Sequence, residues 1–268
     1  MTQRIAILGA GVMGETLLSA ILRSGQPAAD LVISEKREER AAELREAYGV
    51  TVTGNAEAVA DAEVILLVVK PQDVAALLDE IAGSVRPQAT VVSLAAGITI
   101  ATIEAALPDG VAVIRAMPNT PALVGEGMFG ISPGTSCSSD RVDAVVSLLE
   151  SGGKVVVVDE SRQDAVTAVS GSGPAYVFYL AEAMIAGGIE AGLDEDTART
   201  LTAQTLVGAA KLLAESGDTA EELRRRVTSP NGTTHAAITT FDDRGVKDGL
   251  VAGVAAAAAR SAELSAPA

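Results

Sequence analysis

The stretch Arg4-Ile5-Ala6-Ile7-Leu8-Gly9-Ala10-Gly11-Val12-Met13-Gly14 decides the fold. Its short, unbroken apolar run reads as a strand buried on both faces. The run enters three glycines spaced Gly-x-Gly-x-x-Gly. It then continues into ETLLSAILRSG, an amphipathic helix closed by Gly25. In that setting each glycine has a separate use. Gly9 permits the tight turn, Gly11 lets the backbone approach a pyrophosphate, and Gly14 lets the helix pack on the strand. The helix start adds free N–H groups and a positive dipole end. Alone the pattern is weak. Placed between a strand and a helix, it predicts that Leu8, Gly9, Ala10, Gly11, Val12, Met13 and Gly14 cradle a dinucleotide.

Outward from this turn the pattern repeats. LVISEK, EVILLVVKP, ATVVSLAAG, VAVIRAMPNTP and GKVVVVDE read as further strands. Between them lie the charged helix REERAAELREAYG, a helix starting at Pro71, and another near Ile100 to Ala106. Strands alternating with helices predict an α/β fold, a Rossmann-type, doubly wound, mostly parallel sheet. The character changes between Asp159 and Gln163. Beyond it, AYVFYLAEAMIAGGIEAGL, DTARTLTAQTLVGAAKLLAESG, TAEELRRRV and VKDGLVAGVAAAAARSAEL all read as helices. We therefore expect a dinucleotide-binding domain over 1–160 and an all-helical domain over 161–268. Gly187, Gly188, Gly192 and Gly208 suit helices only where another helix comes close. Large apolar residues are scarce in this half, so a second subunit is expected to complete its core.

Composition narrows the function. The chain has 268 residues, 48% of them hydrophobic, and a net charge of −15, which repels nucleic acid and anionic membrane alike. Aromatics make up 2%, too few for a base-stacking surface. The single cysteine, Cys137, has no intrachain partner for a disulfide, which fits a reducing cytoplasm. The N-terminus leads into a strand pattern and not into a signal peptide. The apolar run Gly249 to Ala259 is too short to span a bilayer. No metal site is expected, because His235 has no histidine partner.

The cofactor's ribose end should lie after the second strand, at Ser34-Glu35-Lys36-Arg37. Glu35 there favours a free 2′-hydroxyl; Lys36 and Arg37 favour a 2′-phosphate. The arginine fork suits phosphate well, so NADP is the expected cofactor. Lys70, at another strand end on the same crevice, could meet a phosphate or ribose. Asn119, in a proline-bounded loop, is a candidate nicotinamide wall. In the helical half, Gly171 and Gly173 flank Ser172 and leave room for a ligand. Ser229-Pro230-Asn231-Gly232 reads as a turn, with Thr233 as helix cap. A turn ending on a helix start can hold a carboxylate without arginine.

The segments GAGVMG, VVKP, SLAAGIT, AMPNTP, VSGSGPAY and SPNGTTHAAI occur in this order. In them the chain resembles the pyrroline-5-carboxylate reductases over essentially its whole length. The resemblance implies reduction of 1-pyrroline-5-carboxylate to L-proline by NAD(P)H. It also implies a helical dimerisation domain, with intertwined dimers that assemble into decamers. Matched by position, Gly9 to Gly14 hold the pyrophosphate, and Lys36, Arg37 and Asn55 lie near the ribose. Val68, Val69, Lys70, Pro71, Ala95, Ala96 and Gly97 line the cofactor. Ser172 and the loop Ser229, Pro230, Asn231, Gly232, Thr233 and Thr234 bind the substrate. The Thr234 hydroxyl, which meets the substrate nitrogen, is the catalytic candidate. The sequence departs from the family at Asn231, where glycine is common, and at His235, where an aliphatic residue is usual. A β-hydroxyacid dehydrogenase shares the two-domain plan, but its helix lysine is missing between Gly173 and Gly192. Another imine reductase and a non-catalytic NADP-binding sensor are the remaining alternatives.

Overall fold

The computed structural model describes residues 3–265. They divide into two compact units, one running to Ser172 and rejoined by the chain from Ala257, the other spanning Gly173–Ala256.

The first unit is built on one sheet of eight strands. These are β1 (Ile5–Leu8), β2 (Leu31–Ser34), β3 (Thr51–Thr53), β4 (Val64–Leu67), β5 (Thr90–Ser93), β6 (Ala112–Met117), β7 (Gly127–Pro133) and β8 (Gly153–Val157). Their order is 3-2-1-4-5-6-7-8. All neighbours are parallel except β6 and β7. The order reverses between β1 and β4, which is where an open α/β sheet leaves a crevice at its strand ends.

The apolar strands need cover on both faces, and helices supply it. Those of this unit are α1 (Val12–Arg23), α2 (Glu38–Tyr48), α3 (Asn55–Val59), α4 (Val74–Ile81), α5 (Ile100–Glu104), α6 (Ser139–Leu149) and α7 (Gln163–Val166). Alternate residues of each strand feed opposite cores. Ile5, Ile7, Leu66 and Ile114 meet Leu17, Leu18 and Ile21 of α1 and Leu149 of α6. Ala6, Leu8, Ile65 and Val113 meet Leu78 and Ile81 of α4 and Ile103 of α5.

Six strands are legible in the sequence, and the structure adds β3 and β7. The first is short and polar. The second, GMFGISP, carries two glycines and ends in proline, which hides it as a loop. Gly130 is there because of packing. A Cβ on it would lie 2.4 Å from Val166 Cγ1 of α7, so only glycine lets α7 sit on the strand.

The expected boundary at 160 falls before a buried anchor. Gln163 is fully buried and donates from Nε2 to the Gly130 carbonyl (3.1 Å) and to Ser132 Oγ (2.8 Å). These bonds keep α7 and the following π-turn, Thr167–Gly171, with the sheet. The chain's last turns also belong to this unit, where Ser261 Oγ donates to Asp164 Oδ1 at 2.7 Å.

The second unit is helical: α8 (Gly173–Glu190), α9 (Glu195–Glu215), α10 (Ala220–Arg226), α11 (Thr233–Asp243) and the first part of α12 (Val246–Ser265). Gly188 provides the close helix approach expected of it, since a Cβ would sit 3.3 Å from Ala198 Cβ. Gly187 and Gly208 face open space. No residue of α8 is buried, and α9 buries only Ala198 and Thr202. Phe178, Tyr179, Leu201 and Val207 are all exposed. No helix among the described residues is long and apolar enough to cross a membrane.

Candidate active site

The glycine turn at the end of β1 is held by its neighbours. Gly9 has φ +100°, and its N–H donates to the Ser34 carbonyl at 3.0 Å. A Cβ on Gly9 would lie 2.7 Å from the Val68 carbonyl oxygen, and one on Gly14 would lie 2.0 Å from the Gly9 carbonyl oxygen. The protein's own backbone therefore demands glycine at both positions. Gly11 is different. It caps α1 with ordinary angles, φ −68° and ψ −170°, and no side chain caps the helix. A Cβ there would meet nothing within 4 Å. Only a group approaching from outside requires that position to stay bare, and a pyrophosphate above a helix N-terminus is such a group.

Beside the turn, Gly9, Ser34, Glu35, Lys36, Arg37, Asn55, Val69, Asp73 and Leu77 line a cleft of about 340 Å³. The fold thus brings Lys36, Arg37 and Asn55 together with the turn. Asn55 has a buried role: its Oδ1 accepts from Ser34 Oγ at 2.5 Å, and its Nδ2 donates to Glu80 Oε2 at 2.8 Å. This bridge ties the end of β2 to the start of α3 and to α4. Glu35 and Arg37 pair with one another, and the Arg37 hydrogen bonds hold the Glu35 carboxyl below the usual carboxylate range. The sequence offers both charges but no sign of the pairing, because Glu35 and Arg37 lie in the loop between β2 and α2, where no helix or strand period applies.

The other expected cofactor residues stand around the same crevice. The Val68 carbonyl lies under Gly9, while Lys70 and Pro71 are exposed on the next loop. Ala95 is buried, Ala96 is exposed, and Gly97 has φ +75° with the Leu264 carbonyl 2.9 Å from where its Cβ would be. Asn119 is already engaged. Its Nδ2 donates to the Ser170 carbonyl (3.0 Å), and its Oδ1 accepts from the Met128 N–H (2.8 Å). Its side chain ties the loop after β6 to β7 and to the π-turn.

Ser172 closes the first unit at the end of the π-turn, with its N–H on the Thr167 carbonyl at 2.8 Å. Ser229 to Thr234 belong to the second unit. There the turn forms as expected: the Gly232 N–H donates to the Ser229 carbonyl at 3.0 Å, and Asn231 takes φ 60°. It is the one non-glycine residue with positive φ among the described residues. Asparagine tolerates that region better than most side chains. The cap is Gly232 and not Thr233, which is the first residue of α11, and no side chain bonds the helix start. The first-turn N–H groups of Thr233, Thr234 and His235 therefore lack intrahelical partners. Thr234 is half-buried, and its hydroxyl makes no hydrogen bond among the described residues. His235 is exposed.

Residues 160–264 match the family model described as pyrroline-5-carboxylate reductase dimerisation, and residues 4–97 the one described as NADP oxidoreductase, coenzyme F420-dependent. A pyrroline-5-carboxylate reductase of Pseudomonas aeruginosa is 44% identical over 266 residues, covering 98% of this chain and 97% of that protein. The chain belongs to the pyrroline-5-carboxylate reductase family. A second pyrroline-5-carboxylate reductase, from Corynebacterium melassecola, is 40% identical and covers 97% of this chain and 98% of its own. The solved pyrroline-5-carboxylate reductase of Coxiella burnetii shares the fold at a TM-score of 0.95, with 31% identity over the whole of both chains. As a pyrroline-5-carboxylate reductase, this protein is a nicotinamide-dependent oxidoreductase, and its C-terminal residues match that family's dimerisation segment. The second unit, which carries that segment, is the one that leaves large apolar side chains bare.

Proposed function

We propose that this reductase converts 1-pyrroline-5-carboxylate to L-proline in the cytoplasm, with NADPH preferred to NADH. The observation that carries the reading is the glycine turn at the sheet's switch point, in a chain matching reductases over 98% of its length. Gly9 to Gly14 would hold the pyrophosphate, and Lys36 and Arg37 the 2′-phosphate. When bound, the reduced nicotinamide supplies hydride for the imine carbon.

The chain's own tasks are binding and orientation. The unpaired N–H groups of Thr233, Thr234 and His235, at the positive end of α11, suit the substrate carboxylate. A cyclic imine is basic enough to protonate near neutral pH, so no strong acid is needed. The free Thr234 hydroxyl can donate to the imine nitrogen or accept from the iminium.

The test is the loss of NADPH absorbance on adding 1-pyrroline-5-carboxylate, repeated with NADH and without substrate. Substrate-dependent oxidation, faster with NADPH, is expected; cofactor binding without turnover would refute the reductase reading. Replacing both Lys36 and Arg37 by alanine should lower kcat/KM for NADPH by about ten- to a hundredfold, the scale of charge-assisted hydrogen bonds, and spare NADH. Equal losses for both cofactors would place these cations on the helix surface only.

We also infer that the copies pair through the helices of the second unit as a dimer, and that these dimers assemble further into a decamer by symmetry. Sedimentation equilibrium should show at least a dimer at micromolar concentration, and a monomer would overturn the pairing.

A further inference from the structure

Glu35 stands where the chain also places two cations, and its side chain is not out in water. It is 8% exposed, whereas that of Arg37 is 70% exposed. Arg37 folds back over it: Nε lies 3.1 Å from Oε1 and Nη2 lies 3.3 Å from Oε2. The Arg37 backbone N–H also donates to Oε1, at 2.9 Å. The guanidinium fork is thus already occupied by a carboxylate. The other arginines nearby are committed elsewhere. Arg40 pairs with Glu15 and Glu43, and Arg45 with Glu38. Lys36 has no ion pair among the described residues.

These groups make opposing demands on the ribose end of a dinucleotide. A carboxylate accepts a hydrogen bond from a 2′-hydroxyl and repels a 2′-phosphate. To grip a phosphate, Arg37 must leave Glu35. That step takes the fork away from Glu35 and leaves its carboxylate beside a second anion, and like charges at close range repel. NADH makes no such demand, because its hydroxyl can add to the pair without breaking it. Arg37 alone would select strongly for NADPH; Glu35 works against that selection.

We propose that Glu35 is the residue that sets the ratio of NADPH to NADH use, holding the enzyme closer to dual cofactor use than its basic pair alone would allow. This rests on the assignment of Lys36 and Arg37 to the ribose end.

The test is Glu35→Gln, which keeps the shape and removes the charge. The ratio of kcat/KM for NADPH to that for NADH should rise about tenfold, the difference between a charged and a neutral partner. A second readout needs no turnover: the dissociation constants of adenosine 2′,5′-bisphosphate and of 5′-AMP. The first should fall and the second rise. Glu35→Ser, which removes packing as well as charge, should move both ratios the same way. If the wild type turns over substrate but neither variant moves either ratio, Glu35 is not the determinant and the reductase reading stands. If turnover is absent while the fragment ratio shifts, the reductase reading fails and Glu35 keeps its role.

Discussion

Gly14→Ala is expected to reduce NADPH affinity by about a hundredfold or more, the scale that a displacement of about an ångström can cost a positioned group. The added Cβ would lie 2.0 Å from the Gly9 carbonyl oxygen and 3.1 Å from its carbon. Both are backbone atoms, so no flexible side chain can yield. The helix cannot retreat easily, because Leu17, Leu18 and Ile21 anchor α1 in the core with no exposed surface. The turn must move instead. It is pinned by the Gly9 N–H on Ser34 and by the Val68 carbonyl beneath it, so the strain spreads to β2 and β4. Overpacking of this kind costs about 1–3 kcal/mol of stability, which thermal melting would report beside an NADPH titration. Gly11→Ala is the matched comparison. It meets no protein atom, so it should leave the melting temperature alone and weaken only the cofactor. Undiminished affinity in both variants would mean that the turn holds no pyrophosphate.

Thr234→Ala should lower kcat by about ten- to a hundredfold, the range for a hydrogen bond to a charged group such as an iminium. NADPH affinity and melting temperature should stay unchanged. The reason lies in the helix start: no side chain caps α11, so the Thr234 hydroxyl is not spent on the backbone. Thr234→Ser, which restores the hydroxyl, should recover most of the rate. His235→Ala, at an exposed neighbour, should stay within about twofold, as surface substitutions usually do. Steady-state kinetics with saturating NADPH decides. An unchanged kcat in Thr234→Ala would remove this residue from the reaction. A hundredfold loss in His235→Ala would hand the proton-transfer role to the histidine.

The charged end of the cleft shows why some of the site was legible and some was not. The glycine turn could be read because its spacing follows from one local geometry, a strand entering a helix. Lys36 and Arg37 could be placed because they follow β2 directly. The fork of Arg37 on Glu35 could not be read, since either charge alone is compatible with a solvated helix start. Asn119 resembled a wall residue in a loop. Its two backbone partners, Met128 and Ser170, lie on elements brought to it only by folding.

By itself the sequence determined the period and chemistry of each segment: apolar runs for strands, the glycine spacing, the change to small-residue helices, and the scarcity of large apolar residues there that calls for a partner. Those are properties of neighbours along the chain. Tertiary structure alone decided the strand order, the hidden strand β7 under Val166, the bridge Ser34–Asn55–Glu80, and the return of the last turns of α12 to Gly97. These depend on distances between residues far apart in sequence, and local propensity carries no record of them. The turn at Asn231 lies between the two cases. Its residues announced a turn, but only the folded backbone shows Gly232 as the cap and the Thr234 hydroxyl left free.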